Sequence, residues 1–102
     1  MKLVKKIVKQ IDDELEGAEE YIEMASKYKS EYPTIANMYY EMSMNEMSHV
    51  DKLHNSVLSL INDMKAKGVE IDPKMMAIYD YEHEKAIEKA TEIKVMQEMY
   101  KK

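Results

Sequence analysis

No cysteine and no arginine occurs among the 102 residues, and glycine and proline appear only twice each. The missing cysteine excludes disulfides, thiolate metal sites and thiol catalysis. The missing arginine leaves all 15 cations on lysine, against 20 acids, for a net charge of -5. Such an acidic balance argues against nucleic acid or an anionic membrane as the partner. With so few breakers, long helices are favoured over a many-stranded sheet. No apolar run approaches a membrane span, and the opening MKLVKKIVKQ has no signal-peptide core, so a cytoplasmic location is expected. There is also no internal repeat and no low-complexity segment.

What is present is a composition of 45% hydrophobic and 34% charged residues. That is too apolar for disorder, and the length suits one domain with a modest core. Apolar residues recur with a helical period at Leu3/Val4, Ile7, Ile11, Leu15, Ala18, Ile22 and Ala25, which predicts a helix over about 2–29. Pro33 then suits the first position of a second helix. Its expected face is Ile35, Met38/Tyr39, Met42, Glu46, His49, Leu53, Val57, Leu60/Ile61 and Met64, with Gly68 as the stop after about residue 67. Asp72-Pro73 reads as an N-cap followed by proline at the first helical position. A third helix over 73–101 then carries Met76/Ala77, Tyr81, Glu84, Ile87/Glu88, Thr91, Val95 and Met99. The predicted class is all-α, a long antiparallel helical hairpin plus a third helix in one domain.

Polar residues interrupt each expected apolar seam. Glu14 falls in step with Ile7, Ile11, Ala18 and Tyr21. Glu46 and His49, three residues apart, sit about 60° apart on one face of the second helix. Glu84 takes the same position on the third. A buried carboxylate is costly unless it is paired or bound to a metal. Inward glutamates on several helices, with a Glu-x-x-His, form the ligand chemistry of a di-iron or di-manganese bundle. Carboxylates neutralise divalent ions, and a neutral imidazole completes the ligand shell. The competing reading of any Glu-x-x-His is a surface ion pair.

The segment ELEGAEEYIEMA followed by YPTIANMYYEMSMNEMSHVDKLH resembles the first helical hairpin of the ferritin-like superfamily, in particular its rubrerythrin-like and short, encapsulated-ferritin-like members. The pattern falls on Glu14, Tyr21, Glu46 and His49. The later segment YDYEHEKAIEKATEIK is similar to the stretch that would place a further ligand at Glu84. The resemblance implies Glu14 and His49 as terminal ligands and Glu46 as a bridge. It implies iron, or manganese, as the metal, and Fe(II) oxidation by dioxygen or peroxide, a ferroxidase or peroxide-scavenging activity. The chain departs from the full pattern in having no fourth helix and no second Glu-x-x-His. Two chains related by a twofold would together supply four glutamates and two histidines, so the resemblance implies a homodimer or higher homo-oligomer and a four-helix bundle completed by dimerisation.

Loop length bears on Glu84. The five residues Gly68 to Asp72 reach at most roughly 17 Å, whereas a helix of some 30 residues is about 45 Å long. The third helix therefore either folds back antiparallel to the second or packs on another subunit, which leaves Glu84 three roles: a ligand to the partner's metals, a support behind the ligands, or an acid in a solvated EHEK run. Eleven methionines invite a soft-metal reading, but on a helix Met42 points inward while Met44 and Met47 point to the flank, so they read as core or interface. Tyr21 and Tyr39 are placed beside the site. His54, about 140° from His49, is expected to be exposed, and His83 to face off the stripe. Two other functions stay open: a non-enzymatic helical interaction protein of ferritin-like fold, and a metal-binding buffer or sensor without turnover.

Overall fold

Two proline-led starts and one glycine stop divide the chain. A computed structural model describing residues 1–102 contains α1 (Lys2–Tyr28), α2 (Pro33–Ala66) and α3 (Pro73–Lys101), with no strands. No helix is long and apolar enough to cross a membrane. Each boundary has a local cause. Pro33 and Pro73 open their helices, and Asp72 Oδ1 accepts a hydrogen bond from the Lys74 backbone N–H at 2.9 Å, which satisfies an otherwise orphaned donor. Gly68 adopts φ 71°. That left-handed turn lets Gly68 N–H reach Lys65 O and Val69 N–H reach Met64 O, the paired bonds of a Schellman terminus.

The molecule measures 56 × 19 × 18 Å, one helix long and two helices wide, so the three helices lie side by side. Stacking of Tyr100 on Tyr40 at one end and of His83 on His54 midway shows that α3 runs antiparallel to α2. The short turn thus returns the chain, as the loop length requires. The principal packing is α1 on α2, and α3 leans more on α1 than on α2.

The core consists of Val4, Ile7, Ile11, Leu15 and Ala18 from α1, Met47, Val50, Val57 and Ile61 from α2, and Ile93 from α3. The α1 stripe is the expected one, except that Leu3 is exposed. The other two helices are rotated from expectation. On α2 the buried row is Ala36, Ser43, Met47, Val50, Val57 and Ile61. Ile35 and Met38 are exposed, and Met42 and Leu53 are only half-buried. The reason is that α2 packs against two helices, so its inward face turns toward α3. Met47, expected at the flank, is therefore core. A polar pin marks the shared face: Ser43 Oγ donates to Ala18 O at 2.7 Å, and Gln97 Nε2 donates to Ser43 Oγ at 3.0 Å. On α3 the inward row is Tyr79, His83, Ala86, Ala90, Ile93 and Gln97, while Tyr81, Ile87, Val95 and Met99 are exposed. The small Ala86 and Ala90 side chains let α3 settle into the groove between its neighbours.

Candidate metal centre

Because α2 turns toward α3, the row Met42–Glu46–His49–Leu53 is left along the opposite edge of the α1/α2 hairpin. There it meets Glu14 of α1. His49 Nδ1 lies 3.5 Å from Glu14 Oε2 and 3.6 Å from Glu46 Oε1. One donor atom from each residue falls within 4.8 Å of the others. Two donor atoms on one divalent ion sit roughly 3 to 4.2 Å apart, given bond lengths of about 2.1 Å, so both His49 separations fit a common ion. The side chains are 29% (Glu14), 24% (Glu46) and 49% (His49) exposed, a site sunk between two helices and open on one side. Tyr21, Met42, Asn45, Ser48 and Lys52 surround Glu46 and His49. Tyr21 stacks on Tyr39 with centroids 6.0 Å apart.

The electrostatics are those of an acid pair short of positive charge. A hydrogen bond with Glu14 holds the Glu46 carboxyl above its usual range; burial and the Glu14 charge add to this, and His49 opposes it. A cation placed there would act against that upward push, because it favours the charged carboxylate.

One residue of this site escapes the motif: Gly17. A Cβ built on it would lie 3.2 Å from Glu46 Oε2, so the carboxylate of α2 rests on a gap in α1. The available signal was a glycine inside a strongly helical segment, a position that costs about 1 kcal/mol against alanine and asks for a close approach as its reason.

Of the four sequence-predicted ligands, the fold brings together Glu14, Glu46 and His49. Glu84 is exposed on α3 and lies outside the group. His54 is not exposed as expected. It is half-buried in a groove on the other side of the bundle, with its ring stacked on His83 at 4.7 Å. Met42, Met44 and Met47 occupy three different environments, half-buried, exposed and buried. No protein-family model, curated protein or solved structure matches the chain.

Proposed function

We propose that this chain is a ferritin-like di-iron carboxylate protein that oxidises Fe(II) with dioxygen or peroxide at a site shared between two copies. The observation that carries this reading is the convergence of Glu14, Glu46 and His49 along an open helical edge. One chain offers two carboxylates and one imidazole, half of the four-Glu, two-His set of a di-metal bundle. The same edge carries exposed Ile35 and Met38 and half-buried Tyr39, Met42 and Leu53, an apolar surround suited to a second copy. A twofold partner there supplies the missing half and completes a four-helix bundle.

Fe(II) is the substrate and supplies the redox chemistry. Two ferrous ions each give up one electron, and one peroxide takes both, with two protons, to become two waters. The chain's own residues bind and orient. Glu14, Glu46 and His49 would hold the ions, with Glu46 as the bridge only as the ferritin-like resemblance implies. Oxygen and nitrogen donors accept manganese as well.

The hydrogen bond between Glu14 and Glu46 also supports a second reading. It satisfies the acids without an ion, as in a non-enzymatic helical interaction protein, and a metal buffer or sensor lies between the two. Metal content and solution mass of protein prepared with iron separate them. The proposal expects near one iron per chain in a dimer or larger assembly, lost in Glu46→Ala and His49→Ala, and oxygen uptake on Fe(II) addition. A folded, metal-free monomer refutes it, and iron bound without oxygen or peroxide consumption leaves the buffer.

A further inference from the structure

Four large apolar side chains of α3, three of them (Tyr81, Val95 and Met99) on the stripe expected from the sequence, are not used by the fold of the chain. Ile78, Tyr81, Val95 and Met99 are 60%, 60%, 54% and 67% exposed, while α3 packs inward through the opposite row. α3 therefore carries two apolar faces, one of them uncovered. The outer face follows a heptad. Ile78, Lys85, Glu92 and Met99 occupy one set of seam positions, and Tyr81, Glu88 and Val95 the other, alternating by three and four residues. Lys85 Nζ lies 5.2 Å from the centre of the Tyr81 ring, which fixes its side chain on this stripe, and Glu88 and Glu92 are exposed. Large apolar groups thus stand toward both ends of the seam, with three charges between them.

We propose that this face pairs with the same face of a second copy, antiparallel about a twofold axis, as an interface separate from the metal edge. Charge selects the arrangement. A parallel pair sets Lys85, Glu88 and Glu92 each against its own copy, three like-charge contacts at the centre of the seam. An antiparallel pair shifted by one heptad sets Glu88 against the partner's Glu92. One register sets Lys85 against the partner's Glu88 and Ile78 against the partner's Val95, each twice by symmetry, and leaves Tyr81 Oη to donate to the carboxylate of the partner's Glu92. The seam is self-complementary in that register, as an isologous interface requires. The inference does not rest on the metal reading, since α3 and the Glu14–Glu46–His49 edge are different surfaces. Where both interfaces form, the assembly has an even number of copies larger than two.

The test uses the full chain after chelation, so that it stands apart from iron binding. Ile78→Lys with Val95→Lys is expected to halve the wild-type mass in solution while helicity is retained. Lys85→Glu and Glu88→Lys are each expected to weaken the association at least tenfold. The double exchange is expected to restore it, since the pair is then reversed and not lost. The absence of native cysteine permits a register check. Ile78→Cys with Val95→Cys should give a disulfide-linked dimer under mild oxidation, and either substitution alone should not. The two positions are 17 residues apart on one helix, about 25 Å, too far to close within a chain. Equal mass for the wild type and the double-lysine variant, failure of the double exchange to restore association, or cross-linking by Ile78→Cys alone each overturns the proposal. None of these outcomes touches the proposed iron chemistry.

Discussion

Gly17 is where stability and the proposed metal binding diverge at the level of one residue. In the interior of α1 it costs about 1 kcal/mol relative to alanine, and nothing in the backbone requires it, since its φ is not positive. What it provides is room: Glu46 Oε2 would lie 3.2 Å from an added Cβ. Gly17→Ala is therefore expected to raise the melting temperature of the metal-free protein by up to about 4–8 °C, the shift that 1 kcal/mol makes in a domain of this size. The same methyl pushes the Glu46 carboxylate by a few tenths of an ångström. Displacing groups that orient a ligand typically weakens metal binding by about 10–100-fold, and a loss at the low end of that range is expected here. Thermal melts with and without Fe(II) check both halves, and a variant that binds iron as tightly as the wild type contradicts this role for Gly17. Glu46 and His49 were legible as a pair because helical phase relates residues three apart, and Glu14 was singled out by its phase on α1 and joined to them by the resemblance. Gly17 was not, because its partner belongs to another helix and only tertiary packing brings the two together.

The limits of sequence reading at the level of the element are clearest on α3. All three helices, their order and their ends follow from Pro33, Gly68, Asp72 and Pro73, because capping is local chemistry. Rotation about the axis is not local. α1 has one apolar stripe, so its inward face was unambiguous. α2 has apolar residues over a wide arc and packs against two helices, which shifted its buried row from Met42 and Leu53 to Ser43, Met47 and Val50. α3 has two apolar rows, and periodicity cannot rank them. The row with the larger side chains was expected inside, yet the row with Ala86, Ala90 and Ile93 is the one buried. The two faces are separable by experiment. Ile93 is fully buried, so Ile93→Ala is expected to cost about 2–5 kcal/mol, the range for deleting a core isoleucine side chain. Ile87, on the stripe expected from the sequence, is half-exposed, and Ile87→Ala should cost under about 1 kcal/mol, since little apolar area is lost. Denaturant melts on the two variants decide the matter, and similar costs would mean that α3 is not rotated as described.

Across the whole molecule, the bundle is held unevenly. α1 and α2 share a continuous core, while α2 and α3 touch sparsely, and part of that contact is an aromatic stack. His54 of α2 lies on His83 of α3 with centroids 4.7 Å apart and planes within 4°, and His83 in turn faces Tyr79 at 5.7 Å. The groove around them contains Asp12 of α1, Asp51 of α2 and Glu82 and Lys94 of α3. Burial holds the His54 pKa below its ordinary value; the charge of His83 adds to this, and Asp51 opposes it. A histidine whose pKa is lower in the folded state takes up protons more readily when unfolded. Its contribution to stability is complete above the unfolded pKa of about 6.5 and is lost as pH falls through that value toward the folded one. Glu46 acts in the opposite sense over the acid range. Its pKa is raised, so the folded state gains relative stability as Glu46 takes up its proton. The raw pH profile of the wild type therefore mixes two trends, and only a difference between variants isolates the histidines. His54→Gln keeps a planar polar group in the groove but cannot become charged. Between about pH 7 and 5 the wild type should lose melting temperature relative to this variant by a few degrees, matching the below 1 kcal/mol typical of partly exposed charges. Parallel profiles across that window would show that the stack sets no acid limit on the docking of α3. A gap opening toward low pH would make the sparse α2/α3 contact the first to yield in acid, ahead of the α1/α2 hairpin that holds Glu14, Glu46 and His49 together.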